Sequence, residues 1–374
     1  MLVTALNAST PPRIRKSFVG CAGKTAKGTT VPEQTRTTIA EIAAQAGTSV
    51  STVSKVLNGR VGVSNERRDE ILALLDKAGY RRRGEGQRLR SGLIDLVLAD
   101  VHGLWSARLL YGAEVEASRA GVALVVGSLH SRTLGNRHWL ERFKQRRSDG
   151  LVIVATRMRP GLGAELRRLR APFVLLDPMG PAPEGVPSIS ATNFAGARDA
   201  TQHLIDLGHR RIGLITGPAE LPYSQERLDG YRAALARAGI EFDGRLVRFG
   251  MMDEDSGTGH GGALLDLPDR PTAIFAGSDL QAHGVYAAAR SRRIGIPEDL
   301  SVVGFDNLQS ATWCTPTLTT VNQPLEEMGG LAVRTLLALA HHEEGEPGQR
   351  VELATTLIVR DSTAPLKRAP ARAR

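Results

Sequence analysis

Residues 38–59 of the 374-residue chain read TIAEIAAQAGTSVSTVSKVLNG, and this stretch decides the fold of the amino-terminal part. Thr38 and Glu41 form a capping box, in which each side chain satisfies a free backbone amide at a helix start. Apolar residues recur at helical spacing up to Gly47, where glycine supplies the backbone freedom that a tight turn needs. Ser49 is placed to cap a second helix. The pattern therefore predicts two short helices joined by a turn.

The outward face of the second helix is short, polar and basic, and it carries Ser51, Ser54, Lys55 and Asn58. Such a face suits a helix in the major groove of DNA, since base edges are read by hydrogen bonds and methyl contacts. Ser64 begins a third helix whose apolar residues would complete a three-helix core. Helical spacing alone fits a small structural bundle equally well, so it leaves both alternatives open.

The excess positive charge of the chain is confined to its amino-terminal end. The formal net charge is +9; residues 1–90 hold 16 Lys or Arg and 7 Asp or Glu, whereas residues 91–374 hold 32 of each. A basic module ahead of a neutral body indicates a polyanionic partner, because neutralised phosphates release counterions and drive association. A solvated basic tail would explain residues 13–27, but it explains the ordered segment after them less well.

Cysteine usage and hydropathy predict a cytoplasmic protein. Cys21 and Cys314 are the two cysteines, too few for a disulfide framework and without metal-ligand spacing. Residues 1–35 are rich in Thr, Pro, Gly and basic residues and lack the apolar run of a secretory signal. We expect them to form a disordered basic leader or to result from an upstream start site. No later stretch reaches the roughly 18 apolar residues of a membrane span, so we expect no membrane association.

Two further patterns suggest chemical sites that we reject. Residues 257–262, GTGHGG, satisfy G-x-G-x-x-G, but the acidic, loop-like residues 251–256 stand where a dinucleotide site needs a buried strand. Residues 341–344, HHEE, point in different directions on a helix, which favours a solvated helix end over a metal site. No nucleophile motif and no pair of catalytic carboxylates emerges, so we expect no enzymatic activity, no cofactor and no metal ion.

From Leu93 onward, short apolar runs alternate with amphipathic helical stretches. Strands that alternate with helices imply parallel sheets with right-handed crossovers. The alternation occurs twice, which predicts two doubly wound α/β lobes with a ligand cleft at the carboxyl ends of their strands. The runs are residues 93–98, 123–126, 150–154, 173–176, 211–215, 272–276 and 301–305, with residues 189–192 near the crossover between the lobes.

The residues from Thr38 to Asn58, continued by Val63-Ser64 and Ala78-Gly79-Tyr80, closely resemble the DNA-binding domain of the lactose/galactose repressor (LacI/GalR) family. The resemblance extends to about Arg360. It implies an all-α helix-turn-helix domain followed by a periplasmic-binding-protein-like effector domain of two doubly wound parallel-sheet lobes. The implied protein is a repressor that binds pseudo-palindromic double-stranded operator DNA as a homodimer. The landmarks in the second domain are residues 199–204, 207–212, 226–231, 271–276, 278–279, 297–306 and 316–321.

For DNA binding, the resemblance places base-reading positions at Val50, Ser51 and Lys55. Lysine lacks the bidentate fork with which arginine binds guanine, so we expect a less exacting contact at Lys55. The remaining candidates are expected to contact phosphates or to cap helices, and they are Thr38, Ser49, Thr52, Ser54 and Asn58.

The basic segment 82–92 corresponds to the family's hinge, which folds on DNA and inserts a leucine into the minor groove. Leu89 matches that leucine, and Arg83 and Gln87 are further candidate DNA contacts. Arg82 stands where a proline is usual, so hinge folding is expected to be weaker and phosphate contacts by the arginines more important. A simple flexible linker is the alternative.

In the effector domain, the resemblance assigns hydrogen bonds with the ligand to Arg227 and Asp279. Asn193 and Asp306 are further polar candidates, with a purely structural role as the alternative for Asp306. These four residues are predicted to lie in the cleft between the lobes.

Two of the three tryptophans favour a sugar or oligosaccharide as the small-molecule effector. Trp105 and Trp313 are candidates for packing an aromatic face against a sugar ring, and core packing is an equal alternative for each. Residues 177–178 are expected at the rim of the cleft. A purine effector is the second possibility. A sugar-binding transport component is the alternative from another class, and the helix-turn-helix region together with the missing secretory signal argues against it.

These features predict five segments, and they suggest how the parts communicate. Residues 1–35 form the leader, 36–81 the DNA-binding domain, 82–92 the hinge, 93–363 the effector-binding and dimerisation domain, and 364–374 a disordered tail. We expect ligand-driven closure of the cleft to reorient the two amino-terminal lobes of the dimer and thereby to control hinge folding on DNA.

Overall fold

The structure, a computed structural model, divides the chain into two compact units, Met1–Arg88 and Leu89–Arg374. It describes residues 39–57, 63–77, 91–99, 101, 103–129, 133–134, 137–154, 157–158, 161–168, 171–341 and 348–366. The predicted leader and residues 82–90 of the predicted hinge lie outside the described residues. So do five of the candidate DNA contacts, namely Thr38, Asn58, Arg83, Gln87 and Leu89.

The first unit contains three helices, α1 (Ile39–Gln45), α2 (Val50–Leu57) and α3 (Asn65–Lys77). Gly47, between α1 and α2, has a φ of 56°, a left-handed conformation that glycine adopts without strain. Ser49 caps α2, since its Oγ accepts a hydrogen bond from the amide of Thr52 at 3.2 Å. The predicted helices and the predicted turn are therefore confirmed. The buried core that joins them consists of Ile42, Ala43, Ala46, Val53, Val56, Ile71 and Leu75.

The second unit alternates strands and helices along most of its length. In chain order its elements are β1 (Leu93–Leu98), α4 (Leu104–Arg119), β2 (Ala123–Ser128), β3 (Thr133–Leu134), α5 (Arg137–Arg146), β4 (Gly150–Val154), β5 (Arg157–Met158), α6 (Leu162–Arg168), β6 (Phe173–Leu176), β7 (Ser188–Ala191), α7 (Asn193–Asp206), β8 (Ile212–Thr216), α8 (Pro222–Arg237), β9 (Val247–Phe249), α9 (Glu254–Leu265), β10 (Ala273–Ala276), α10 (Asp279–Ser291), β11 (Ser301–Asp306), β12 (Thr319–Asn322), α11 (Leu325–His341), β13 (Arg350–Leu353) and β14 (Thr356–Ile358). None of the helices in the described part of the chain combines the length and the apolar character that a membrane span requires.

Twelve of the fourteen described strands form two six-stranded sheets, one in each lobe, and this confirms the predicted architecture; β3 and β5 pair with each other. The amino-terminal lobe (N lobe) has the strand order β13-β7-β6-β4-β1-β2, with parallel pairing throughout. The carboxyl-terminal lobe (C lobe) has the order β14-β12-β11-β10-β8-β9, parallel except for the β12–β14 pair. Strands such as β4 and β8 are buried along their whole length, as expected for parallel sheets covered on both faces.

The chain passes between the lobes three times, after β7, after β12 and after β13. The first and third passages are joined to each other, because the amide of Thr355 donates to Thr192 Oγ1 at 3.0 Å. The hydroxyl of Thr355 also donates to the carbonyl of Thr192 at 3.1 Å. Since the strands that precede these passages end there, the passages lie at the edge where open α/β sheets bind their ligands.

The G-x-G-x-x-G sequence lies inside α9, in agreement with the rejection of a dinucleotide site. A Cβ atom at Gly257 would collide with the backbone of Gln281, and a Cβ atom at Gly284 would collide with the backbone of α9. These glycines therefore allow α9 and α10 to pack closely. Most of the glycine amides are engaged within the helix, whereas a pyrophosphate loop needs them free.

The C lobe extends beyond the boundary at residue 363 that the sequence suggests. The amide of Ala364 donates to Ser301 Oγ at 3.1 Å, and the amide of Leu366 donates to the carbonyl of Leu207 at 2.8 Å. Residues 364–366 were expected in a disordered tail, and that expectation is wrong because their backbone groups find partners on the C lobe.

Candidate functional site

The exposed side of α2 carries the candidate base-reading residues. Val50, Ser51 and Lys55 are exposed, and Val50 keeps 51% of its surface accessible although it is apolar. An exposed valine at a helix start is suited to contact a thymine methyl group. Ser49 Oγ lies 2.8 Å from Ser51 Oγ, so the cap and the neighbouring candidate share a hydrogen bond. Thr52 and Ser54 are half-buried, in keeping with capping or phosphate-contact roles rather than base reading.

The second group of candidates lies where strands of both lobes end. Asn193 begins α7, Asp279 begins α10, Asp306 ends β11, and Arg227 lies on α8. All four are buried, with at most 6% of the surface of each exposed. The structure thus brings together four candidates that are up to 113 residues apart in the chain.

Arg227 is the hub of this cluster. Its Nε and Nη2 atoms donate to Asn193 Oδ1 at 3.0 and 2.9 Å, and its Nη1 atom donates to the carbonyl of Gly277. The guanidinium carbon lies 3.7 Å from the centre of the Phe305 ring, in the geometry of a cation–π contact. Burial lowers the pKa of Arg227, but an arginine stays protonated in proteins, so Arg227 gives the cluster a fixed positive charge.

Asn193 acts as the support of Arg227. Its Nδ2 atom donates to Glu226 Oε2 at 3.1 Å and to the carbonyl of Ala191 at 3.2 Å. Because its Oδ1 atom already accepts from Arg227, the side-chain amide is fully engaged within the protein. Asn193 therefore orients the guanidinium.

Asp279 is engaged on both carboxylate oxygens. Oδ2 accepts the amide of Leu308 at 2.6 Å, and Oδ1 accepts the hydroxyl of Thr320 at 2.5 Å. Burial raises the pKa of Asp279 to about 7. These bonds hold the loop that follows β11 against β12, so the geometry gives Asp279 a structural task. Its predicted contact with the effector stays a prediction.

Asp306 is bound much less tightly. Its backbone has a φ of 111°, and the next residue, Asn307, has a φ of 53°, both unusual for residues with a side chain. Backbone strain of this kind tends to occur at ligand-binding sites. Within the described part of the chain, no hydrogen bond reaches the carboxylate of Asp306. Burial raises the pKa of Asp306 well above its usual value, and the charge of Arg227 opposes the rise.

Asp177, expected only at the rim, belongs to the same cluster. It follows β6 of the N lobe with a φ of 47°, and its side chain is buried. Burial raises the pKa of Asp177 to about 6, whereas the charge of Arg227 in the C lobe lowers it. A usable sequence pattern was present, since Asp177 and Asp306 each come at the end of a buried strand.

The two candidate tryptophans lie in different surroundings. Trp105, on α4, is half-buried against the N-lobe core, and its Nε1 atom donates to Gln323 Oε1 at 3.0 Å. Gln323 is fully buried and follows β12, so this bond joins the N lobe to a passage between the lobes. Trp313 lies in the loop after β11 and exposes 65% of its surface. None of the contacts described above for the Arg227 cluster involves Trp313.

The cluster accepts hydrogen bonds more readily than it donates them. The charge of the Arg227 guanidinium acts on three buried carboxylates, those of Asp177, Asp279 and Asp306. Ligand hydroxyl or N–H groups would satisfy the carboxylates of Asp177 and Asp306, to which none of the described residues donates a hydrogen bond. Among the described residues, no group of three or more His, Cys, Asp or Glu side chains is placed to hold a metal ion.

Comparison with known families agrees with both units. Residues 38–83 match the family described as bacterial regulatory proteins, lacI family, and residues 201–363 match a periplasmic binding protein-like domain. The chain is 31% identical over 337 residues to the HTH-type transcriptional repressor CytR of Escherichia coli (strain K12), covering 89% of this chain and 98% of that protein. It is 30% identical over 331 residues to the repressor PurR of Escherichia coli O139:H28, covering 87% and 97%.

Solved structures give the same result. A complex of the transcriptional regulator CelR with cellobiose has a TM-score of 0.67 at 34% identity, covering 87% of this chain and 100% of that chain. A lac repressor dimer bound to operator and an anti-inducer has a TM-score of 0.65 at 25% identity, covering 88% and 99%. The chain therefore belongs to the LacI family of bacterial regulatory proteins, and it is a DNA-binding transcription regulator controlled by a small-molecule effector.

Proposed function

We propose that the effector is a neutral sugar or oligosaccharide that binds between the two lobes. The observation that carries this proposal is the pair of buried carboxylates, Asp177 and Asp306, which come from opposite lobes beside Arg227. A buried charge without a hydrogen-bond donor is unfavourable, and the hydroxyl groups of a sugar supply such donors to both lobes at once. An anionic effector would be repelled by the same carboxylates.

The half-buried Trp105 and the relative that binds cellobiose also favour a carbohydrate. Trp105 offers its ring on the N-lobe side of the passage that contains Gln323, and a tryptophan ring packs well against a sugar. A purine is the second candidate, since carboxylates also accept N–H groups of a base and one relative is named PurR. A transport component remains disfavoured because of the residues that match the family's DNA-binding domain.

For DNA we propose a homodimer that acts as a repressor in the cytoplasm on a pseudo-palindromic operator. In this proposal Val50, Ser51 and Lys55 contact bases. The remaining candidates contact phosphates or, for Leu89, the minor groove; they are Thr38, Ser49, Thr52, Ser54, Asn58, Arg83, Gln87 and Leu89. Closure of the lobes on the effector then changes the affinity for the operator, for which a coupling of about 1–3 kcal/mol suffices.

The test is thermal unfolding of the full-length chain with panels of monosaccharides, oligosaccharides and purines. A compound that binds the folded state at 100 times its Kd adds about 2.7 kcal/mol of stability, so we expect a rise in Tm with one class of sugar. The rise should vanish in Asp306→Asn and persist in the control Asp266→Asn, whose carboxylate pairs with Arg292 outside the cluster. A rise with purines alone would contradict the carbohydrate proposal.

A further inference from the structure

The first two described residues of the second unit are held by one carboxylate. Asp149 Oδ1 accepts the amide of Ser91 at 3.1 Å, and Asp149 Oδ2 accepts the amide of Gly92 at 3.0 Å. We call these two bonds the Asp149 clamp. Ser91 and Gly92 are also the last two residues of the predicted hinge. The clamp therefore lies where the hinge enters the N lobe.

The clamp is reinforced by backbone bonds on both sides. The amide of Asp149 donates to the carbonyl of Leu93 at 2.8 Å, and the amide of Ala123 donates to the carbonyl of Gly92 at 2.7 Å. Ser91 and Gly92 are thus tied to the amino ends of β4 and β2, the two neighbours of β1. As a result, the junction becomes part of the N-lobe sheet.

The loop that carries Asp149 is itself anchored. Ser148 Oγ donates to Asp95 Oδ1 at 2.6 Å, and the guanidinium of Arg146 pairs with the same carboxylate. Asp95 is a buried residue of β1. Asp149 is therefore fixed to the strand that begins directly after the junction, and it moves with that strand.

We propose that Asp149 is a positioning residue for operator recognition: its clamp orders the end of the hinge and makes the hinge follow the N lobe. Without the clamp, two residues regain backbone freedom that must be lost again on a specific operator. Non-specific binding to phosphates needs no ordered hinge. The inference rests on effector-controlled DNA binding by this chain and adds to it a residue outside both binding surfaces.

The test uses the full-length chain, a duplex that the wild-type protein selects from random DNA, and a scrambled duplex of equal length. Asp149→Ala should weaken binding to the selected duplex roughly ten-fold or more, because about 1.4 kcal/mol corresponds to a factor of ten. Binding to the scrambled duplex should stay unchanged. Asp149→Asn retains one acceptor oxygen and should give an intermediate loss. Hydrogen exchange at the amides of Ser91 and Gly92 should accelerate in both variants.

Asp299→Ala is the matched control, since Asp299 Oδ2 accepts the amide of Gly295 at 2.9 Å in a C-lobe loop. A purely stabilising role for Asp149 would lower Tm as in this control and leave the ratio of the two DNA affinities unchanged. An unchanged ratio of the two DNA affinities would overturn the proposal. Unchanged hydrogen exchange at the amides of Ser91 and Gly92 would also overturn it. A wild-type chain that selects no sequence would contradict the DNA-binding function instead, and the exchange rates would still decide whether the clamp exists.

Discussion

The polar side chains that the two lobes contribute to the cluster around Arg227 differ in how fully they are hydrogen-bonded within the protein. On the C-lobe side, Arg227, Asn193 and Asp279 are bonded to the protein on nearly every polar atom. Asp177, from the N lobe, is buried with no hydrogen bond to its carboxylate in the described part of the chain. The C-lobe side chains are thus already held in place by the protein. The N-lobe carboxylate of Asp177, in contrast, gains a hydrogen-bond donor only across the cleft. Asp306 breaks the pattern, because it belongs to the C lobe and yet its carboxylate accepts no hydrogen bond from any described residue.

Hydrogen bonds at the end of β11 also join the two lobes directly. Arg108 on α4 donates from Nη1 to the carbonyl of Asn307 at 2.8 Å, next to Asp306. The side chain of Asn307 is held in turn by Arg360, whose Nη2 atom donates to Asn307 Oδ1 at 2.7 Å. The strained end of β11 is therefore connected to the N lobe as well as to its own lobe. A ligand that moves Asp306 has a direct route to α4.

The largest effect is expected when the two C-lobe carboxylates are compared. Asp279→Asn retains one acceptor oxygen, so it can accept from the amide of Leu308 or from the hydroxyl of Thr320 but not from both, and it weakens this pair of buried hydrogen bonds. It should lower the free energy of unfolding by about 2 kcal/mol or more in urea denaturation. Asp306→Asn replaces a buried carboxyl group to which no residue of the described part of the chain donates a hydrogen bond, so the free energy of unfolding should stay equal or rise while the effector-induced rise in Tm disappears.

The opposite result would exchange the structural role assigned to Asp279 and the ligand-binding role assigned to Asp306. If Asp279→Asn kept full stability and lost the response to effector, Asp279 would be the ligand-binding residue that the family resemblance implies. The distinction requires both measurements on both variants, because either one alone fits both assignments.

A smaller effect is expected from pH, through the N-lobe residue Asp177. Its pKa of about 6 in the folded protein lies above the usual value of 3.8, so the folded state binds the proton more tightly than the unfolded state. The resulting loss of stability is absent below about pH 4, grows as pH rises, and is complete above about pH 6. In Asp177→Asn, the fall in the free energy of unfolding between pH 4 and 7 should shrink by roughly 2 kcal/mol, since one pKa unit corresponds to about 1.4 kcal/mol.

Urea denaturation at several pH values gives this comparison, with Asp361→Asn as the control for an exposed carboxylate of the C lobe. Parallel curves for the wild type and Asp177→Asn would show that the N-lobe carboxylate is well solvated or paired. The contrast between the lobes would then be lost.

The smallest effect is expected for the direct link between the lobes. Arg108→Gln removes the bond to the carbonyl of Asn307 and should lower the free energy of unfolding by about 1 kcal/mol. It should also reduce the effector-induced rise in Tm. Arg334→Gln is the control, because Arg334 pairs with Glu116 at 2.8 Å between α11 and α4, inside the N lobe. If both variants show the same free energy of unfolding and the same effector-induced rise in Tm, Arg108 has no role in closure of the lobes.

Prediction from sequence succeeded best where the contacting residues are close together in the chain. The helices α1 to α3, the Gly47 turn and the Ser49 cap follow from residues within a few positions of one another. Most of the principal strands were placed to within one or two residues, because buried parallel strands have continuous apolar runs. The short strands β13 and β14 were not identified, since Arg350–Leu353 and Thr356–Ile358 lack such runs and their pairing depends on distant strands.

By itself, the sequence determined the helix-turn-helix, the two-lobed α/β architecture and the family, because capping, periodicity and local motifs depend on residues that are neighbours in the chain. Only the tertiary structure decided which candidates meet. It engaged both oxygens of Asp279 with Leu308 and Thr320, gave the carboxylate of Asp306 no hydrogen bond from the described residues, and brought Asp177 of the other lobe under the influence of the Arg227 charge. The physical reason is that burial and hydrogen-bond satisfaction depend on strands far apart in the chain, which no local pattern can report.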